Sequence, residues 1–162
     1  MKIFLITNIP NPYRIPLFNV LAKELAKEGS SLEVLFAARG YSRRMFNEQL
    51  NNCAFTYTFL GSRAIRFGKS EGLLFTYPGV IRRVINARPD RVIVSGFSMA
   101  TIKLWLFSWF RTLSYIIWSG AVLKEGRFDS SFRRFLRKKL VKRADGFIAY
   151  GSRAREYLLS LG

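Results

Sequence analysis

Asn8, Pro12, Tyr13 and Arg14 fall within one turn, "NIPNPYR", between an apolar run and the start of a helical pattern. Pro10 and Pro12 fix dihedrals there, Asn8 and Asn11 are placed to satisfy stray backbone groups, and Arg14 sets a guanidinium at a helix N-terminus that is already partly positive. A cation in that position costs stability unless an anion arrives or an acidic side chain pairs with it. The chemistry implied is anion recognition, with a structural ion pair as the alternative. The turn lacks the G-x-G-x-x-G spacing that lets a backbone approach a dinucleotide pyrophosphate, which disfavours NAD or FAD.

Further candidates follow other apolar runs. Ser95-Gly96, Ser119-Gly120 and Tyr150-Gly151-Ser152 each close such a run, so small or hydroxyl-bearing residues recur where strands end. Glycine there also simply makes turns. Glu125 and Asp129 are the nearest carboxylates, and one of them within hydrogen-bond reach of a hydroxyl could orient or deprotonate it. Both lie in the basic stretch "KEGRFDSSFRR", where ion pairing is the competing role. Asp129 or Ser130 also suits a helix cap, and this reading is preferred for Asp129.

The elements that must hold these residues alternate. "KIFLIT", "LEVLFAA", "FTYTFLG", "DRVIVSG", "LSYIIWSG" and "DGFIAYG" read as strands. "PLFNVLAKELAKEG", "SMATIKLWLFSWF", "SSFRRFLRKKLVKRA" and "SRAREYLLSLG" read as helices, the first with Leu17, Leu21 and Leu25 on its apolar face. A further helix is expected over Leu73 to Asn86, kinked or starting late because of Pro78. Arg39 to Cys53 and Gly61 to Gly72 read as loops. Continuous apolar strands between helices predict an α/β, Rossmann-like, three-layer α/β/α domain with a mostly parallel sheet.

The 162 residues, 49% of them apolar, predict one domain spanning 1–162. The lone Cys53 and the absence of histidine exclude an intrachain disulfide and a Cys/His zinc site, and no metal is expected. A reducing, cytosolic setting is expected, with no secretory leader and no transmembrane segment, since Lys103 and Arg111 interrupt the most hydrophobic region. The 27 basic residues against 10 acidic ones, a net charge of +17, favour phosphate-bearing partners or anionic lipid.

"NIPNPYRIPLFNVLAKE", taken with "RADGFIAYGSRAREYLLSLG" near the end, resembles the N-terminal domain of the group 1, family 4 glycosyltransferases, enzymes of GT-B architecture with two Rossmann-like domains facing across a cleft. The resemblance extends over the chain but is weak from Arg39 to Gly72. It implies transfer of a sugar from a nucleotide-diphosphate sugar, a cosubstrate rather than a resident cofactor, to a lipid-linked or polysaccharide acceptor. Retention of configuration and no essential metal are further implications. The N-terminal domain mainly receives the acceptor, and a C-terminal domain holds the donor with an E-x7-E pair. No two glutamates here have that spacing, so the chain is expected to be an isolated, inactive half. "NPYR" replaces the glycine-rich first turn of many members, leaving diphosphate contact to the backbone around Tyr13 and to Arg14. The histidine of many members is missing, which leaves acceptor orientation to Ser119, Glu125 or Arg127, with Glu125 as the catalytic candidate.

Between Lys124 and Arg143 stand nine basic residues and two acidic ones. A basic helix with aromatic residues at its start can lie on an anionic membrane, which predicts peripheral association with the cytosolic face. Phe132, Leu136 and Leu140 are expected to pack on the sheet all the same, leaving membrane attraction to the charged face and to loops. The alternative is a noncatalytic basic module for nucleic acid or anionic membrane. No helix-turn-helix, zinc-finger or RNA-recognition signature is present, so no nucleic acid is expected.

Overall fold

The computed structural model describes residues 1–40, 50, 51, 53–66, 73–122 and 130–162. In chain order the elements are β1 (Lys2–Thr7), α1 (Ile15–Lys27), β2 (Ser31–Phe36), β3 (Thr56–Phe59), β4 (Ala64–Arg66), β5 (Leu73–Phe75) and α2 (Val80–Ala87). There follow β6 (Arg91–Ser95), α3 (Met99–Phe107), β7 (Tyr115–Ser119), α4 (Ser131–Arg143), β8 (Gly146–Ala149) and α5 (Ser152–Ser160). Six strands form one sheet in the order β3-β2-β1-β6-β7-β8, and β4 and β5 form a separate two-stranded ribbon. The pairs β1–β2, β2–β3 and β7–β8 are parallel, and Ile3↔Leu32 and Ile117↔Phe147 fix their register. This is the doubly wound order of a Rossmann-like α/β fold, in which successive strands extend the sheet outward from β1 and then outward from β6.

The chain divides into two compact units, Met1–Val92 and Ile93–Gly162. In the first, Ile3 to Thr7 and Leu32 to Phe36 are buried residue after residue, as strands covered on both faces must be. Helix α1 buries Ile15, Phe18 and Ala22, and the Phe18 ring meets Phe55 edge-on at 5.8 Å. Burying a phenylalanine contributes about 1.5–3 kcal/mol, so Phe18 anchors the helix. It also sets the rotation: Leu17, expected on the inner face, is exposed, while Leu21 and Leu25 are half-buried. Glu33 is buried in β2 because two donors meet its Oε1, Arg83 Nη2 at 2.6 Å and Thr58 Oγ1 at 3.0 Å.

The expected helix over Leu73 to Asn86 is instead a strand followed by a shorter helix. Leu73–Phe75 pairs antiparallel with Ala64–Arg66, where a loop was expected, and α2 starts only at Val80. Tyr77 (φ 48°) and Gly79 (φ 67°) both take left-handed backbone around Pro78, so no continuous helix can pass through them. Three-residue strands offer too few positions for a period of two to show in sequence.

In the second unit Val94, Tyr115 and Ile117 are buried strand residues, and Ala100, Leu104 and Leu158 are buried on its helices. Tyr115 donates its hydroxyl to the Leu140 carbonyl at 3.0 Å, and the Asp145 carboxylate accepts the Tyr115 N–H at 2.7 Å. Helix α4 buries Leu140 and Val141 through its last turns. Phe132, expected to pack on the sheet, is 73% exposed, and Phe135 is 57% exposed. Phe132 and Phe135 thus stand exposed in the first turns of α4, while its burial lies at Leu140 and Val141 further along.

Candidate functional site

In the first unit the predicted residues gather where β1 runs into α1. Two tight turns carry the chain across: the Asn11 N–H donates to the Ile9 carbonyl and the Arg14 N–H to the Asn11 carbonyl, both at 2.9 Å. Pro10 and Pro12 contribute no donors here, which leaves these as the bonds that define the turn. Thr7, at the last position of β1 and fully buried, accepts from Arg14 Nη1 at 2.8 Å. The Arg14 guanidinium also lies 5.6 Å from the ring centroid of Tyr13, itself 69% exposed, and Pro12 is half-buried beside them.

Helix α1 opens with Arg14 as its N-cap, no side-chain capping bond, proline in the first turn and no acidic residue there. Its N–H groups and the positive end of its dipole are thus left without the carboxylate that helices commonly supply. Beside this terminus, Asn11 is buried and its Oδ1 has no hydrogen-bond partner among the described residues. Such an atom costs about 1–3 kcal/mol when unsatisfied, which marks the place as one that a donor-bearing group would complete. The asparagine pair thus divides in two, because Asn8 Oδ1 accepts a short hydrogen bond from the Tyr77 hydroxyl.

Tyr77 belongs to this cluster and was not legible in the sequence. It is buried, and its N–H and that of Thr76 donate to Ser62 Oγ at 3.3 and 2.8 Å. The Ser62 N–H in turn donates to the Ala37 carbonyl at 2.8 Å, and the Ala38 N–H to the Asn8 carbonyl at 3.0 Å. The available signal was "TYPG", a turn sequence that carries an aromatic hydroxyl.

In the second unit three predicted residues come together and two serve mainly as turns. Ser119 is buried at the end of β7; its Oγ accepts from the Ala121 N–H at 3.1 Å and its carbonyl from the Tyr150 N–H at 3.2 Å. At Gly120 a Cβ would stand 2.4 Å from Tyr150 Cδ2, so only glycine admits the ring across this backbone. Tyr150 meets Trp118 edge-on at 5.3 Å and keeps half its surface exposed. Ser95 and Gly96 lead into α3: Gly96 has φ 66°, its carbonyl accepts from Thr101 Oγ1 at 2.6 Å, and Ser98 and Thr101 form a capping box. Ser152 is exposed at the first position of α5. Glu125, Arg127 and Asp129 lie outside the described residues.

The basic residues of α4 have two uses. Arg137 Nη1 donates to the Tyr157 hydroxyl at 2.7 Å and the guanidinium lies 5.2 Å from the Phe97 ring centroid. Arg143 donates from Nη2 to the Ser108 carbonyl at 2.7 Å and from Nε to Ser108 Oγ at 3.3 Å. Arg133, Arg134, Lys138, Lys139 and Lys142 are exposed. Burial pushes the Tyr115 phenol well above the ordinary tyrosine range, with Arg143 opposing and Asp145 reinforcing the shift. Burial also raises the Cys53 thiol, which makes it a poorer nucleophile. Among the described residues no group of three His, Cys, Asp or Glu could hold a metal ion, and no helix is long and apolar enough to cross a membrane.

The strand order and flanking helices define a Rossmann-like α/β fold of the kind found in GT-B-type proteins. Particular solved structures share it. A MurG from Acinetobacter baumannii superposes with a TM-score of 0.55 at 15% identity, covering 94% of this chain and 42% of that one. A UDP-N-acetylglucosamine 2-epimerase superposes with 0.54 at 16% identity over 99% and 44%. A putative UDP-N-acetylglucosamine 2-epimerase from Listeria monocytogenes gives 0.53 at 15% identity over 98% and 42%. At these identities the likeness is one of fold, and the chain spans less than half the length of each of these proteins. No protein-family model matches the sequence, and no curated protein does.

Proposed function

We propose that this chain is the acceptor-binding, N-terminal half of a retaining, family 4-type glycosyltransferase that moves a sugar from a nucleotide-diphosphate sugar to a lipid-linked or polysaccharide acceptor. The observation that carries the reading is the β1–α1 turn. It joins a helix N-terminus with no side-chain cap bond and no acidic residue in its first turn, the Arg14 guanidinium and the buried Asn11 Oδ1, which has no hydrogen-bond partner among the described residues. A diphosphate accepts from N–H groups and a guanidinium, while a sugar or nucleoside hydroxyl donates to an amide oxygen. Two of the similar structures carry a nucleotide sugar in their names, which supports the same ligand class.

In this reading Thr7 holds the Arg14 fork, so the cation is positioned before the anion arrives. Tyr77 fixes Asn8 and with it the path of the turn. The exposed Tyr150 ring, seated on Gly120, offers an apolar face to an acceptor sugar. Glu125 orients or deprotonates the acceptor hydroxyl, with Ser119 and Arg127 as further acceptor contacts. Transfer requires a donor-binding C-terminal domain and its closure over both substrates, so the 162 residues alone are inactive.

The test is transfer by the full-length protein in membranes, using a panel of radiolabelled nucleotide-diphosphate sugars and scoring label in lipid and polysaccharide fractions. Label should appear with one donor, and Arg14→Ala should lower kcat/KM about tenfold or more, the scale of a lost charge-assisted bond. Binding of a nucleotide sugar without transfer would make the protein a noncatalytic scaffold. Neither binding nor transfer across the panel would overturn the reading.

A further inference from the structure

We infer that Tyr77 is a positioning residue for the β1–α1 turn: by occupying the amide oxygen of Asn8 it leaves that side chain a donor only, which fits Asn8 to an oxyanion and Asn11 to the hydroxyl-bearing part of the ligand. The inference rests on the proposed reading for one point, that this turn takes a diphosphate. The two asparagines of "NIPNPYR" present opposite ends of the same group. Asn8 Oδ1 accepts from the Tyr77 hydroxyl, and Asn8 Nδ2 has no hydrogen-bond partner among the described residues and is not buried. Asn11 is buried, and there it is the amide oxygen that has no partner among the described residues. A free amide can turn to show either its two N–H donors or its oxygen, so an unheld asparagine does not tell an acceptor from a donor. Once the oxygen of Asn8 is taken, only its N–H groups are left to offer. Phosphate oxygens accept such bonds, and the neighbouring Thr7 already holds the Arg14 guanidinium through its Oγ1 at 2.8 Å.

Tyr77 is held in an unusual way for this task. Its backbone is left-handed (φ 48°), a conformation that a bulky side chain rarely adopts and that persists only where the surroundings enforce it. A run of hydrogen bonds enforces it here: the Tyr77 N–H donates to Ser62 Oγ at 3.3 Å, the Ser62 N–H to the Ala37 carbonyl at 2.8 Å and the Ala37 N–H to the Thr7 carbonyl at 2.9 Å. The run thus begins at the residue whose hydroxyl meets Asn8 and ends at Thr7, the neighbour of Asn8. The Tyr77 ring is 1% exposed and meets Phe75 edge-on at 6.5 Å, so it is packed in place. The backbone of Asn8 is held separately, its carbonyl accepting the Ala38 N–H at 3.0 Å. What the Tyr77 hydroxyl adds is the orientation of the Asn8 side chain.

The experiment is a titration of the full-length protein, labelled with 15N-asparagine, with inorganic pyrophosphate, following the side-chain amide resonances. The resonance that disappears in Asn8→Ala belongs to Asn8, and it should move in the parent. Asn8→Ala should weaken binding about tenfold or more, the scale of a lost charge-assisted bond. Tyr77→Phe, which keeps the ring, should weaken it about threefold or more, because an unheld amide is in the competent orientation only part of the time. In an Asn8→Ala background Tyr77→Phe should have no further effect, whereas a purely structural role would add to the loss. Asn8→Asp and Asn11→Asp each add one negative charge, yet the first should bind about tenfold more weakly than the second, since only the first removes a donor that the anion uses. The aspartate pair leaves Tyr77 intact, so it tests the polarity of the turn even where Tyr77→Phe fails to fold. The inference is overturned, with the diphosphate reading left standing, if the Asn8 resonance moves but Tyr77→Phe binds like the parent, if its loss adds to that of Asn8→Ala, or if the two aspartate variants bind alike. An Asn8 resonance that does not move in the parent overturns the inference and the diphosphate reading of the turn together.

Discussion

Helices α1 and α4 each have thirteen residues, and each leaves large apolar side chains in solvent: Leu17 and Val20 on α1, Phe132 and Phe135 on α4. They differ in how charge surrounds those residues. On α1, Lys27 pairs with Glu24 at 2.7 Å and the exposed face carries both signs. On α4 every charge is positive. Exposed apolar side chains thus sit among charges of both signs on one helix and among wholly positive ones on the other. The lesson is that an exposed hydrophobic residue gains meaning from the sign and balance of its neighbours.

The sharpest way to break the comparison is to truncate the inner faces. Phe18→Ala in α1 should cost about 3–5 kcal/mol and Leu140→Ala in α4 about 2–5 kcal/mol by urea denaturation, against changes within about 0.5 kcal/mol for Leu17→Ala and Phe132→Ala. A large loss from Phe132→Ala would show that its ring packs against the protein, and the contrast would collapse. Next in size is the division among the bases of α4: Arg143→Ala, which removes two hydrogen bonds to Ser108, should cost about 1–3 kcal/mol, whereas Lys138→Ala should be within about 0.5 kcal/mol.

A pH titration sharpens the picture of what α4 covers. The Tyr115 phenol, buried beneath it, titrates above its unfolded value of about 10, so the native state keeps a proton that the unfolded chain gives up. Its contribution to stability is intact below that value and is lost as pH rises above it. Stability of the parent should therefore fall from about pH 10 upward, and Tyr115→Phe should remove part of that slope while losing the bond to the Leu140 carbonyl. The smallest effect belongs to α1: Lys27→Ala should cost about 0.2–0.5 kcal/mol, since both partners of its ion pair are largely exposed.

The alternation of the strands and most of the helices could be read because long apolar runs and a helical period leave little ambiguity. Legibility failed where local rules were weak. Three-residue strands such as Ala64–Arg66 carry no period, and two left-handed residues around Pro78 shortened a helix that the apolar pattern alone extends. On α1 the leucines at four-residue spacing are equivalent in sequence, whereas in the structure the Phe18 ring, docked on Phe55, sets the rotation and leaves Leu17 exposed. In the candidate site, the turn with Asn8, Pro12, Tyr13 and Arg14 was visible from its prolines and its cation. What it lacked was Thr7, read only as the end of a strand, and Tyr77, sixty-nine positions from the Asn8 that it holds. No spacing rule reaches that far.

That separation has a consequence for how the protein is made. A nascent chain that has delivered β1, the turn and α1 still lacks the hydroxyl that fixes Asn8, and it lacks Ser62, which holds the backbone of Tyr77 in place. The bond to Asn8 is therefore among the last of its unit that synthesis makes possible, although the local bonds of the turn need only residues 9–14. Until Tyr77 is in place, Asn8 lacks the partner that fixes it.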